Sequence, residues 1–343
     1  MKLKITLFSL LIGFSTFGQT GGTTTFALLN LTFNARAAGL GNDFISVKDQ
    51  DINLGIVNPS LYNEKMHNTL SLNQALMAGG INYGQVAYGR KLRSGFLGTS
   101  IRYVNYGEFR RTDIAGNDLG SFSPFECIIG AGYGKQLNPR ISVGANLNFI
   151  YSKLESYSSY GASIDLAGTY TNKEENFLLT AMVKNAGIQF SNYYSKVRDP
   201  LPAEFQLAAS YKLKHAPFRF SILAHHLNTW NITYVDPSLK PTVDPLTGDS
   251  IPVKNAGFGE KLARHFSYQA EILISKNIHL RAGFDYHRRQ EMKLEQRPGI
   301  AGFTFGVGMI FKKITIDYGF SAFSYAGFNN MLTLSTNLSR WKK

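Results

Sequence analysis

Hydrophobic and polar side chains alternate one by one over much of the chain after residue 68. Between Ile141 and Tyr151 every odd-numbered residue is apolar or aromatic, and Ser142, Asn146 and Asn148 stand among the residues between them. A period of two sustained over this length predicts a β-strand with one apolar and one polar face.

The same alternation recurs along the chain and predicts about fourteen strands. The predicted ranges are 68–77, 81–92, 96–107, 123–137, 141–154, 160–172, 177–187, 203–213, 218–228, 264–275, 278–288, 300–311, 314–324 and 330–340. Several reach the ~10 residues that a tilted strand needs to cross a bilayer, whereas soluble strands usually have ~5–6. We therefore predict an all-β fold, a transmembrane antiparallel β-barrel over residues 68–343.

The connections between these strands differ in length in a regular way. Those after even-numbered strands are short, as at 93–94, 138–140 and 276–277. Those after odd-numbered strands include every long one, at 108–122, 188–202, 229–263 and 289–299. Short turns on one rim and long loops on the other are typical of outer-membrane barrels, whereas a soluble sandwich has no reason to segregate its loops.

Residues 19–67 do not alternate over a membrane-spanning length. They contain a small-residue segment, 34–41, and an Asn58-Pro59 pair typical of a helix start. Fourteen strands enclose a lumen wider than the wall's own side chains fill. We predict that residues 19–67 form a plug or hatch in the lumen, and a periplasmic extension outside the barrel is the alternative. The glycines of 130–134 lie on a predicted inner face, where a plug could approach closely.

The first residues have the form of a secretory signal. Lys2 and Lys4 precede a short apolar run, and small residues end at position 18, so we predict a cleaved signal peptide over residues 1–18. No later stretch reaches the ~20 apolar residues of a membrane helix. The formal charge is +13, but it is dispersed and carries no nucleic-acid-binding motif. We assign it to the pore wall, the turns and contact with anionic outer-membrane lipid or lipopolysaccharide, and we expect no nucleic-acid partner.

Charged residues on the predicted inner faces are candidates for contacts with the plug or for a transport pathway. We favour plug contacts, because the chain offers its own filling. The candidates are Arg36 in the predicted plug and, on the predicted strands, Arg102, Glu126, Asp165, Glu204, Arg281 and Asp285.

The long loops offer a different kind of candidate. The segment 229–263 carries Trp230, Tyr234 and Phe258, and the loop at 109–122 begins with Phe109. Long loops in compact folds are usually functional or disordered. Exposed aromatic side chains of this kind would form a protein-docking surface.

No constellation of catalytic or metal-binding residues stands out. The chain has no Gly-x-Ser-x-Gly elbow, and its single cysteine, Cys127, is expected to be a small apolar filler. The adjacent His225 and His226 fall on a predicted strand, where neighbouring side chains face opposite sides, so we expect that they do not bind one metal together. We predict no enzyme activity, no cofactor and no metal.

The plug region carries a family resemblance. The segments 26–31, 35–41, 53–54 and 58–61 resemble the N-terminal signature of the PorV/PorQ branch of the FadL-like outer-membrane barrels, and the PorQ group is the nearer match. Ser60 is a small departure from the usual Asn-Pro-Ala form. The resemblance implies a fourteen-stranded barrel with an N-terminal hatch.

The resemblance also implies a function. The chain would be a non-enzymatic component of the type IX secretion system, which anchors a PorZ-like surface protein in the cargo attachment complex with PorU and PorV. The alternative is a FadL-like channel for a hydrophobic small molecule.

Overall fold

The barrel is closed by hydrogen bonding between its first and last strands. The computed structural model describes residues 24–77, 80–194, 198–234, 242–243, 250–251, 256–293, 299–322 and 327–341. Within them, fourteen antiparallel strands pair with their sequence neighbours, and the last pairs with the first from Thr69↔Asn337 to Leu76↔Asn330. The prediction of a fourteen-stranded antiparallel barrel is confirmed.

The barrel strands are numbered here in chain order. They are β1 (Thr69–Leu76), β2 (Asn82–Lys91), β3 (Phe96–Asn105), β4 (Phe125–Asn138), β5 (Ile141–Leu154), β6 (Tyr157–Thr171), β7 (Phe177–Ser191), β8 (Glu204–Lys212), β9 (Phe218–Ala224), β10 (Phe266–Ile272), β11 (Ile278–Asp285), β12 (Phe303–Ile310), β13 (Ile314–Ala322) and β14 (Phe328–Asn337). Two small hairpins, Phe109–Thr112 with Asp118–Phe122 and Thr242–Val243 with Ser250–Ile251, lie in the long loops.

The wall has an apolar outside and a polar inside, as the alternation predicts. In β5, Leu147 is 60% exposed and faces outwards, whereas its neighbours Asn146 and Asn148 are buried. Because lipid covers the outer face of a membrane barrel, exposed leucine, phenylalanine and tyrosine side chains are stable there. The buried inner positions are free to contact whatever fills the lumen.

Loop length divides the two ends of the barrel. The short-turn rim carries connections such as residues 139–140 and 311–313. The long-loop rim carries the connections after β3, β7, β9 and β11, whose described residues include 106–124, 192–194, 198–203, 225–234, 256–265, 286–293 and 299–302. In outer-membrane barrels the short turns usually face the periplasm and the long loops face the outside.

Helical elements are short and lie in the N-terminal segment, in the long loops and directly after the last strand. They are α1 (Ala35–Ala38), α2 (Ile52–Val57), α3 (Phe258–Ala263) and α4 (Tyr286–Met292), with 3-10 turns at Ala27–Asn30, Pro59–Leu61, Glu64–Met66 and Leu338–Arg340. Across the described ranges, no helix is both long and apolar enough to span a membrane.

The predicted strand 278–288 is wrong at its end. The chain leaves the strand at Asp285 and forms α4, whose first turn is capped by the Asp285 side chain accepting from the Arg288 amide at 3.0 Å. A side-chain cap of this kind stabilises the start of a helix and draws the following residues out of the sheet.

Candidate functional site

The N-terminal segment runs lengthwise through the lumen. Near its start, the Thr25 amide donates to Pro200 O in a loop of the long-loop rim, at 3.0 Å. Near its end, Asn337 Nδ2 donates to His67 O at 2.7 Å at the short-turn rim. Residues 24–67, named the plug from here on, therefore cross the barrel from one rim to the other. The predicted signal peptide, residues 1–18, lies outside the described residues.

The plug touches the wall through glycines. A side-chain carbon added at Gly39 in the plug would lie 2.9 Å from the Gly306 Cα in β12, and one added at Gly319 in β13 would overlap Ala35 O. On the opposite side, a carbon at Gly134 in β4 would lie 2.5 Å from Pro59 O. The backbones of plug and wall thus meet directly on two sides, in a way only glycine permits.

A polar network joins the plug to the two strands at which the barrel closes. Asn53 in α2 donates to Ser71 Oγ in β1 at 2.9 Å and accepts from Asn73 at 3.0 Å. Thr333 in β14 donates to Asn73 Oδ1 at 2.6 Å and accepts from the Ala35 amide at 2.9 Å. Plug, first strand and last strand therefore share one buried set of hydrogen bonds.

A buried ion cluster holds the plug on the side of the short-turn rim. Arg36 in α1 makes a two-pronged contact with Glu271 in β10, at 3.0 and 3.1 Å, and a 2.6 Å contact with Asp49 of the plug. Asp51 lies farther from the guanidinium, at 3.7 Å. The paired geometry is the strong form of an arginine–carboxylate contact.

The wall supplies the rest of the cluster. Glu271 also accepts from Arg219 in β9 at 2.5 Å and from Arg281 in β11 at 3.3 Å. Arg281 in turn contacts Asp317 in β13 at 2.5 Å. Four strands and the plug are linked in this way, namely β9, β10, β11 and β13, and β12 contributes no charge to the contacts described.

The plug carboxylates respond differently to this environment. Burial alone would lower the pKa of Arg36, but Asp49 and Glu271 outweigh it and hold that pKa above its usual value. Burial likewise opposes ionisation of Asp49, yet the close Arg36 keeps the Asp49 pKa below its usual value. Burial dominates at Asp51 and raises its pKa to about 6.

The other predicted lumen residues are divided between plug and wall. The Arg102 guanidinium lies over the ring of Phe33 in the plug, 5.8 Å from its centre. Glu126 accepts from the Tyr106 hydroxyl at 2.5 Å. Asp165 accepts from the Asn185 amide at 2.7 Å, where a bulge between β6 and β7 removes that amide from the ladder. Glu126 and Asp165 thus bond to the wall in the contacts described.

A cavity of about 430 Å³ opens at the long-loop rim, directly above the plug. Its lining combines apolar side chains with ionisable ones. It includes Asp43, Glu204, Leu223, His225, His226, Ile232, Tyr234, Asp285, His287 and Met292. We name it the mouth cavity. Burial lowers the pKa of His225, and it lowers the pKa of His287 to about 4, so both imidazoles are neutral at pH 7.

The expectation that His225 and His226 face apart is wrong. Strand β9 ends at Ala224, so neither histidine is part of the pleat. His226 has a φ of 55°, which turns its side chain back, and the two Nδ1 atoms lie 2.7 Å apart. Nothing in the residue pattern signals this turn, because positive φ is uncommon for any residue other than glycine.

The predicted docking aromatics are exposed on the long-loop rim. Trp230 packs against Phe258 with ring centres 5.2 Å apart, and Phe258 is 72% exposed. Tyr234 is exposed and also lines the mouth cavity. Phe109 stacks on Phe122 in the hairpin of another loop, with ring centres 5.7 Å apart.

Comparison with known proteins gives a structural result only. No protein-family profile and no curated protein matches the sequence. Among solved structures, the toluene transporter TodX of Pseudomonas putida superposes with a TM-score of 0.56 at 13% identity, over 90% of this chain and 98% of that one. The toluene transporter TbuX of Ralstonia pickettii gives 0.53 at 12% identity, over 90% and 99%.

The monoaromatic hydrocarbon channel CymD gives a TM-score of 0.50 at 14% identity, over 89% of this chain and 97% of that one. The fold is that of the FadL-like barrels. These structurally similar proteins are described as transporters and channels. The resemblance to the PorV/PorQ branch stays a prediction.

Proposed function

We propose that the chain is a plugged outer-membrane channel for a small hydrophobic or amphipathic molecule. The mouth cavity carries this proposal. Its volume of about 430 Å³ lies within the ~300–1,000 Å³ usual for small-molecule sites. The similarity of the fold to channels described as carrying toluene and other monoaromatic hydrocarbons supports the same choice.

The lining of the mouth cavity defines the ligand chemistry. Leu223, Ile232 and Met292 offer apolar surface, whereas Glu204 and His287 offer polar atoms. A ligand with an apolar body and one polar end would match both parts. Purely polar solutes would leave the apolar lining without a partner, and they would gain little from burial there.

Passage through the barrel requires the plug to move. The mouth cavity is floored by Gly41, Asn42 and Asp43 of the plug. A second cavity of about 410 Å³, at the short-turn rim, is lined by Arg36, Asp49 and Asp51 from the opposite side of the plug. The two cavities share no lining residue, so the plug segment between them is the barrier to passage.

The test is uptake of radiolabelled toluene and oleate into cells that lack their own transporters and make this protein. We expect uptake above that of cells without it, and loss of the gain in Leu223→Trp, which fills the mouth cavity. The matched control is Leu207→Trp, because Leu207 faces lipid on the neighbouring strand β8. Equal uptake with and without the protein would refute the channel.

A second candidate function is anchoring of a surface protein, and the exposed ring cluster favours it. Trp230, Tyr234 and Phe258 lie on the same loop of the long-loop rim, and Phe109 stacks on Phe122 in a separate loop between β3 and β4. Aromatic residues of this kind dominate protein-docking surfaces. We propose as partner a PorZ-like protein, with PorU and PorV in the same attachment complex.

This second proposal is tested by mass spectrometry of proteins that co-purify with the tagged barrel from gently solubilised membranes. A stoichiometric surface protein that is lost in a Trp230→Ala/Phe258→Ala double variant would support anchoring. The Phe311→Ala variant is the control, since Phe311 is exposed on the short-turn rim. A barrel that arrives alone and carries an apolar ligand would exclude anchoring and favour the channel.

Lipid is the third partner that the charge suggests. Exposed basic side chains mark the short-turn rim, among them Arg93, Arg140, Lys276, Lys312 and Lys313. We propose that side chains at both rims meet anionic headgroups, including lipopolysaccharide on the external side, where each such contact is worth roughly 1 kcal/mol.

A further inference from the structure

Three donors of metal-binding type converge at the mouth cavity. Glu204 is the first residue of β8 and is buried, and His225 is buried directly after β9. His226 follows in the left-handed conformation. Their ligand atoms all lie within 4.8 Å of one another, with the two histidine Nδ1 atoms 2.7 Å apart and His226 Nδ1 3.5 Å from Glu204 Oε1.

We propose that Glu204, His225 and His226 form a binding site for a divalent transition metal, with Zn²⁺ as the occupant. Around tetrahedral zinc, with bonds of about 2.0–2.2 Å, neighbouring ligand atoms lie about 3.3 Å apart. The spacings of 2.7 and 3.5 Å bracket that value. Two imidazoles and one carboxylate form a ligand set well suited to zinc.

His287 is placed to complete the site. Its ring centre lies 6.2 Å from that of His225 and 6.1 Å from that of His226, and those two are 5.0 Å apart. Imidazoles bound to one tetrahedral metal have ring centres about 5 Å apart. A small movement of α4, which carries His287 from the long-loop rim, would bring the third ring to this distance.

Polar atoms without partners point to a missing ligand. Within the described part of the chain, His225 Nε2 and His287 Nδ1 are both buried and make no hydrogen bond. Buried polar atoms usually have a partner, so two such atoms in facing imidazoles call for an explanation. A metal ion bound at His287 Nδ1 accounts for that atom. His225 faces His226 through Nδ1, so a metal bound there leaves His225 Nε2 unexplained.

The surrounding residues hold the donors in place. Gln206 Nε2 and the His226 amide both donate to Glu204 Oε1, at 2.9 and 3.0 Å. The His225 amide donates to His265 O at 2.9 Å, and the ring of His265 bonds back to His225 O at 2.8 Å. Orienting bonds of this kind are typical around metal ligands. The inference stands on these contacts and does not rest on transport.

The experiment measures zinc binding by the purified full-length barrel, carrying an affinity tag without histidine and stripped with a chelator. Calorimetric titration with zinc chloride should give one Zn²⁺ per chain. The variants His226→Ala and Glu204→Gln should each weaken binding at least by the roughly 10–100-fold that loss of an orienting partner costs. His287→Ala should weaken it less if that ring binds last.

Two controls separate the site from general histidine binding and from misfolding. His215→Ala removes an exposed histidine of a short turn, and His279→Ala removes one that faces the lumen from β11. Both should bind zinc as the unaltered chain does. Every variant should run in unheated electrophoresis with the mobility of a folded barrel. Cobalt bound in place of zinc should give the absorption bands of a tetrahedral site, and Glu204→Gln should change those bands. No stoichiometric zinc, or unchanged affinity in folded His226→Ala and Glu204→Gln, would overturn the proposal.

Discussion

Asp49 and Asp51 lie two positions apart in the plug and both face Arg36, but the guanidinium is 2.6 Å from one and 3.7 Å from the other. Attraction falls with distance, and burial penalises both charges. The nearer carboxylate is therefore the stable anion, whereas the pKa of Asp51 is raised to about 6. The plug thus contains one acid that titrates close to neutral pH.

The first prediction concerns pH and the hold on the plug. The pKa of Asp51 is higher in the folded protein than its ordinary 3.8, so the folded state binds more protons between pH 4 and 6. Protonation of Asp51 therefore stabilises the seated plug at low pH. This stabilisation is lost as the pH rises through 6 and Asp51 ionises. We expect plug openings in planar bilayers to be rarer at pH 5 than at pH 7.5, by about tenfold or more.

The matched variant is Asp51→Asn, which keeps an oxygen for the Asn53 amide that Asp51 now caps at 3.0 Å. Its opening frequency should be nearly the same at both pH values. An unchanged pH dependence in this variant would assign the effect to another group.

Arg36 itself is the second residue to test. Replacing it with Met keeps the length of the side chain but leaves Asp49 buried without its closest partner. Breaking one member of a buried ion pair typically costs about 3–5 kcal/mol, so the unseated plug should become far more populated. Conductance should rise in Arg36→Met and partly recover in Arg36→Lys, whose single ammonium cannot make the paired contact with Glu271.

Lys214→Met is the control for this variant, since Lys214 pairs with Glu174 in an exposed position at the short-turn rim. Its conductance should stay unchanged. If Arg36→Met conducts like the unaltered chain, then the ion cluster does not hold the plug.

At the scale of elements, direct contact between backbones is what seats α1 against β12 and β13. In Gly319→Ala the new methyl group would overlap Ala35 O, and a backbone atom cannot rotate away as a side chain can. We expect faster hydrogen exchange in plug peptides over residues 24–67. Gly168→Ala in β6 has open space around the added carbon and should exchange like the unaltered chain. Equal exchange in both would mean that the plug is held elsewhere.

Much of the element pattern can be predicted from the sequence, because a lipid-facing wall imposes strict alternation. The same alternation places Asp317 on an inner face, although Asp317 was not among the candidates, and the structure shows that it contacts Arg281. Alternation does not show where a strand ends and a turn begins. The sequence pattern at Asp285 fits either a strand residue or a helix cap. The hydrogen bond that its side chain accepts from the Arg288 amide shows that it is a cap.

The same limit explains the histidines of the mouth cavity. Their convergence depends on one backbone angle at His226 and on contacts with Glu204, a residue 22 positions away in the sequence. Single-sequence periodicity carries no information on either. The arginine of the plug was a candidate by its position, but its partner Glu271 could be assigned only once β10 was placed beside α1.

At the scale of the whole molecule, the fourth prediction asks whether transport needs the plug to move. Ser60 in the plug and Thr169 in β6 place their hydroxyl oxygens 2.6 Å apart, so cysteine sulfurs at these two positions would lie close to each other. With the native Cys127 changed to Ser, a Ser60→Cys/Thr169→Cys variant should form a cross-link on oxidation. We expect toluene uptake to stop when the variant is oxidised and to return on reduction.

In the single variant Thr169→Cys in the same background, toluene uptake should not change on oxidation. Full uptake through the cross-linked barrel would show that the ligand passes without displacement of this part of the plug. The route would then run along or through the barrel wall.

The hydrogen bonds that join Asn53 and Ala35 to β1 and β14 have a consequence for biogenesis. The plug precedes every strand in the chain, so it is synthesised before the last strand is complete. Its bonds to Ser71, Asn73 and Thr333 span the two strands whose pairing closes the barrel. We therefore expect the barrel to close around a seated plug, so that it does not pass through an open, leaking tube while it is being inserted.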